Sequence, residues 1–82
     1  MDTNEKDRLR EFLQTCLAER GDHAAIRDNE SIFISGRLDS LAMTRMVVYL
    51  EQAFKIDFGK VNFEVDLIDS VQSIEQLVEA ER

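Results

Sequence analysis

Apolar residues recur along this chain with the period of a helix, and nothing in it can pair as a sheet. Leu9, Phe12, Leu13, Cys16 and Leu17 fall at i, i+3, i+4, i+7 and i+8, while Glu5, Lys6, Asp7, Arg8, Arg10, Glu11 and Glu19 take the other face. The spacing predicts a first helix over Asn4 to Glu19. Arg20 and then Gly21 follow the last periodic residue, so the helix should stop through a glycine in the left-handed conformation. The triplet Ile32-Phe33-Ile34 has no partner strand anywhere in the chain. Proline is absent and there are only three glycines, Gly21, Gly36 and Gly59, which leaves helices uninterrupted. The expected class is all-α.

Between the first and second helices lies a connection of about 18 residues, Gly21 to Leu38, long enough that it must be functional or packed. Ile32, Phe33 and Ile34 are read as a plug laid over the helices. A second helix is expected over Ser40 to Phe54, with Asp39 as its N-cap. Its seven large apolar residues, Leu41, Met43, Met46, Val47, Val48, Leu50 and Phe54, make a face too wide to be wholly buried. At least one should be exposed near Ser40, and Met43 is the choice. Ile56-Asp57-Phe58-Gly59 reads as an extended linker pinned to the core. Asn62 would cap a short third helix near Phe63 to Ile68, with Val65 and Leu67 or Ile68 inward. Ser70 or Asp69 caps a last helix over Val71 to Glu81, whose stripe is Val71, Ile74, Leu77 and Val78. Four helices around one core make a single domain of residues 1–82.

Charge narrows the function. With 17 acidic against 10 basic side chains the net charge is −7, which disfavours nucleic acid and anionic membranes and favours basic partner proteins. Glu51 and Asp39, flanking the second helix, are candidates to meet such a partner. The single cysteine excludes an internal disulfide, and without a leader-like or membrane-spanning apolar run the expected location is the cytoplasm. Cys16 lies on the apolar stripe and reads as a small buried hydrophobe. His23 has no second histidine or ligand cluster near it in sequence, so neither a metal site nor a catalytic base follows.

The chemistry concentrates at Ser35-Gly36-Arg37-Leu38-Asp39-Ser40-Leu41. Ser40, as first residue of the second helix, would project its hydroxyl where unpaired N–H groups and the positive end of the helix dipole favour a phosphate. No base to activate it and no glycine-rich phosphate cradle is visible, so an enzyme is not expected.

At Leu38-Asp39-Ser40-Leu41 the chain resembles the acyl carrier proteins, whose Asp-Ser-Leu serine carries 4′-phosphopantetheine. The resemblance extends through Glu51-Gln52-Ala53-Phe54, Ile56 and Ser70-Val71, and so covers the whole chain. It implies an antiparallel four-helix bundle with a long first loop and a short third helix, acting as a monomer. A covalent 4′-phosphopantetheine on Ser40 would hold acyl or aminoacyl groups as thioesters. The implied partners are a phosphopantetheinyl transferase that recognises Asp39, an acyl or aminoacyl ligase, and a downstream acyl acceptor enzyme. Leu41, Met43 and Arg45 would meet them.

Two departures matter. Fatty-acid carriers usually place glycine two residues before the serine; here Gly36 is four before it and Leu38 intervenes, an arrangement more similar to D-alanyl and other aminoacyl or specialised carriers. Their second helix is also densely acidic, whereas Ala42 and Arg45 interrupt that rail. The alternatives are a fatty-acid synthesis carrier or a helical adaptor without a prosthetic group.

Overall fold

The computed structural model describes residues 1–60 and 63–81. Helix α1 spans Thr3–Ala18, one residue earlier than the periodicity alone predicts. The cause is a capping box: the Asp2 carboxylate accepts from the Glu5 N–H at 2.8 Å, and Glu5 accepts from the Asp2 N–H at 3.0 Å. At its other end Gly21 sits at φ 80°, with Gly21 N–H bonded to Ala18 O and Asp22 N–H to Leu17 O. This is the paired pattern of a Schellman stop, as the sequence suggested. Helix α2 covers Ser40–Phe54 and α3 covers Val71–Glu81, both with the predicted bounds. The Ser70 hydroxyl accepts from the Ser73 N–H at 3.0 Å, so Ser70 rather than Asp69 caps α3.

The short third helix takes a different form. It is a single 3₁₀ turn over Val65–Ile68, closed by Leu67 N–H to Glu64 O at 3.0 Å. Phe63 and Glu64 stay outside it, because Glu64 is extended and offers no side-chain cap. Ile68 alone is fully buried there, with Val65 and Leu67 half-buried. The proposed cap Asn62 lies outside the described residues. Lys55, a non-glycine residue at φ 59°, ends α2, and Ile56 just after it is buried as the pinned linker required. Among the described residues there is no strand.

Both α2 and α3 run opposite to α1. Glu19 meets Arg45 and Phe12 meets Tyr49, while Lys6 pairs with Glu75 and the Met1 amine with Glu79. The stripes interlock: Leu9, Leu13, Cys16 and Leu17 of α1 pack with Ala42, Met46, Leu50 and Phe54 of α2 and with Val71, Ile74, Leu77 and Val78 of α3.

The long connection contributes as much core as a helix would. Ile26, Ile32, Phe33 and Leu38 are all buried, each such apolar side chain contributing about 1.5–3 kcal/mol on leaving water. Ile34, expected as the third residue of the plug, is instead 60 % exposed. Backbone bonding decides this, since the N–H groups of Phe33 and Ile34 both donate to Asp69 Oδ1, at 2.7 and 2.8 Å, and the chain turns there.

Two charged side chains replace regular structure in this segment. The Arg37 guanidinium bonds Asp22 at 3.0 and 3.2 Å, Glu30 at 2.6 Å, and the carbonyls of Ala24 and Ala25. Asp69 accepts from Ser31 Oγ at 2.5 Å besides the two amides. Its burial pushes the carboxyl up, but those hydrogen bonds outweigh it and hold the group below its ordinary value. Arg37 lowers Asp22 by its hydrogen bonds, and Glu30 is lowered first by the Arg27 N–H and then by Arg37.

A carboxylate so depressed contributes stability above its unfolded value, about 3.9 for Asp and 4.3 for Glu, and loses it as pH falls through the folded one. The thermal midpoint, followed by circular dichroism, is therefore expected to drop between about pH 5 and pH 3. Arg37→Gln should start lower at neutral pH and fall less steeply across that window. A midpoint independent of pH there would remove these clamps from the account of stability.

Candidate functional site

The residues singled out by sequence gather where the long connection enters α2. Asp39 is extended, at φ −100°, and its Oδ1 accepts from the Ala42 N–H at 3.0 Å while its carbonyl accepts from the Met43 N–H at 3.0 Å. The predicted N-cap is thus in place. Arg20, just past α1, lies 4.0 Å from the Asp39 carboxylate. Ser40 follows as the exposed first residue of the helix.

Its hydroxyl is set apart from those of the other four serines. Ser31 donates to Asp69, Ser35 to the Ser31 carbonyl, and Ser70 to Ser73 Oγ, so each of these four side chains is engaged. Among the described residues nothing hydrogen-bonds the Ser40 hydroxyl; only its carbonyl is used, accepting from Thr44 Oγ1 at 3.1 Å. The backbone N–H groups of Ser40 and Leu41 are unbonded there too, as the first turn of a helix leaves them.

Around this serine the apolar surface differs from expectation. Leu41, not Met43, is the residue left out, at 69 % exposure; Met43 is half-buried and packs on the core. Leu41 and Met43 flank buried Ala42, each turned about 100° from it in opposite senses, which carries Leu41 to the water side and Met43, three residues before Met46, to the edge of the Met46 and Leu50 stripe. Val48 is exposed as well. Ala42, read from sequence as a gap in an acidic rail, is in the core. No acidic residue stands on α2 before Glu51, so the rail itself is absent.

Arg45 is exposed but not bare. Its guanidinium pairs with Glu19 at 2.8 Å and lies 6.0 Å over the Phe12 ring, which stacks on Tyr49 with centroids 4.7 Å apart. Hydrogen bonding to Arg45 lowers Glu19 and in return raises Arg45. Cys16 is buried, and burial pushes its thiol up against the lowering influence of Arg45, which leaves it an inert hydrophobe. His23 is exposed, and among the described residues no cluster of His, Cys, Asp or Glu could hold a metal.

The family model for the phosphopantetheine attachment site matches residues 7–80. The chain belongs to that family. Its members are carriers rather than enzymes, and their prosthetic group is a covalently attached 4′-phosphopantetheine. Such a carrier works with a phosphopantetheinyl transferase and with separate partner enzymes. Comparisons with curated proteins and with solved structures find no match. No helix among the described residues of this carrier is long and apolar enough to cross a membrane.

Sequence reasoning missed two residues that order the connection leading into the candidate site: Arg37 as a clamp, and Asp69. Asp69 stood out only as a possible cap for the last helix, and its polar partners are 35 or more positions away in sequence. The available signal was an acidic residue directly before a serine that can cap unaided.

Asp39→Ala should lose about 0.5–2 kcal/mol in urea denaturation, because the Ala42 amide is left without its acceptor. Unchanged stability would mean that solvent caps α2 equally well.

Proposed function

We propose that Ser40 is the residue that receives the prosthetic arm and that residues 1–82 act as one carrier domain. The observation that carries this is the Ser40 hydroxyl, exposed and uncommitted at the start of α2 while every other serine side chain is bonded. The residues present fit the group. The free N–H groups of the first turn and the positive end of the helix dipole favour a phosphodiester there, and Asp39 keeps the turn formed without occupying the serine. When bound, the group supplies a thiol that holds acyl or aminoacyl cargo as a thioester. Leu41 offers an apolar contact beside the attachment point, Met43 its half-buried flank, and Asp39 a carboxylate for a basic transferase. Incubation with coenzyme A and a broad-specificity phosphopantetheinyl transferase should raise the intact mass by one arm in the wild type and not in Ser40→Ala. An equal gain in both would move the attachment elsewhere. No gain in either would favour the adaptor.

The cargo side of the proposal is loading by a dedicated aminoacyl or specialised acyl ligase, distinct from fatty-acid machinery. Its support is the face of α2, which shows Leu41, Thr44, Arg45 and Val48 to solvent and no carboxylate before Glu51. The pairing of Arg45 with Glu19 softens the repulsion a bare cation would exert, so the discrimination rests chiefly on missing negative charge. Holo protein offered to a malonyl transferase of fatty-acid synthesis should be malonylated slowly, and Arg45→Glu faster. Ala42 is unsuited to that comparison, since a carboxylate there would enter the core. Rapid malonylation of the wild type with no gain in the variant would favour a fatty-acyl role.

A further inference from the structure

We propose that Asp69, which lies outside the modification motif, is a positioning residue for Ser40. The proposal rests on the reading of Ser40 as the attachment serine. Its physical basis is a continuous line of hydrogen bonds from the start of α3 to the first turn of α2. Ile32 N–H donates to the Asp69 carbonyl at 2.7 Å, and the Ile32 carbonyl accepts from Leu38 N–H at 2.9 Å. Leu38 is buried and precedes Asp39, whose carboxylate then receives the Ala42 amide. Each bond joins backbone to backbone or backbone to carboxylate, so none depends on a long flexible side chain.

The Asp69 carboxylate makes the middle of this line rigid. Its Oδ1 takes two successive amides, Phe33 and Ile34, and its Oδ2 takes Ser31 Oγ, which in turn accepts from Ser35 N–H at 3.0 Å. The chain from Ser31 to Leu38 is thereby folded into a compact turn with its two ends joined at Ile32. Without the carboxylate, two amides beside buried Phe33 lose their acceptor, and the turn must move to find water. That movement passes through Leu38 to the cap. Helix α2 itself remains, because its other contacts are in the core; what changes is the angle and order of its first turn, where the serine sits. A transferase that must align one hydroxyl is sensitive to displacements of that size.

The arrangement also explains why an aspartate precedes Ser70, which caps α3 unaided. Asp69 is where the start of α3 meets the end of the long connection, and it serves the second of these.

The test measures phosphopantetheine transfer at a temperature where each protein is fully folded, comparing wild type, Asp69→Ala, Asp69→Asn and Val78→Ala. Val78 is buried on α3 outside the hydrogen-bonded line, so its truncation controls for lost stability alone. Asp69→Ala should lose on the order of tenfold or more in kcat/KM, mainly in kcat, and exchange of the Ala42 amide should quicken. Asp69→Asn, which keeps the oxygen that Phe33 and Ile34 share, should recover most of the rate, and Val78→Ala should keep it. If Asp69→Ala fails to fold, Ser31→Ala, which removes one donor to the carboxylate, carries the same comparison. Transfer to a folded Asp69→Ala, or to Ser31→Ala in its place, at the Val78→Ala rate with Ala42 exchange unchanged would overturn the proposal. No mass gain in the wild type would overturn the reading of Ser40 first, and the role of Asp69 with it.

Discussion

A single carboxylate pins the end of the connection between α1 and α2 to the start of α3. Asp69 sits at the junction of the 3₁₀ turn and α3, and takes two amides and a hydroxyl from the connection between α1 and α2. Desolvating it is unfavourable, and the hydrogen bonds offset that penalty, which is why its proton affinity ends below the ordinary range. With this anchor in place, Ile32, Phe33 and Leu38 can be buried without leaving their amides unpaired. A chain of this size, which buries only a modest fraction of its surface, draws a substantial share of its core from that connection.

The same construction serves the site. The connection delivers Asp39 in an extended conformation to the end of α2, and Asp39 closes the first turn. Arg37, three residues before Ser40, turns its charge back onto Asp22 and Glu30 and so binds the connection to itself. Ser40 is then the serine whose hydroxyl has nothing to hold among the described residues. The proposed carrier role fits this division of labour: a pinned connection, a capped turn, and one serine hydroxyl left uncommitted.

Surface chemistry on α2 is quieter than net charge alone suggests. The acidic excess lies away from the first turns, where Leu41 and Val48 are exposed and Arg45 is shared between Glu19 and the Phe12 ring. Packing between α1 and α2 sets that pairing, since Phe12 stacks on Tyr49 and also lies beneath the guanidinium.

Residue order alone determined the three helices, because the 3.6-residue stripes, the Gly21 stop and the Asp39 and Ser70 caps are local chemistry that acts within one or two turns. The Asp39 cap with Ser40 as first helical residue was legible for the same reason. Tertiary structure decided what depends on distant neighbours. Ile34 and Leu41 point to water while Met43 and Ala42 turn inward, a choice made by which helix packs opposite them. The third helix became one 3₁₀ turn, held between its neighbours rather than by a cap of its own. Asp69 found its partners in residues 31 to 34, far away in sequence, and no periodicity or spacing along the chain encodes a hydrogen bond between segments that only folding brings together.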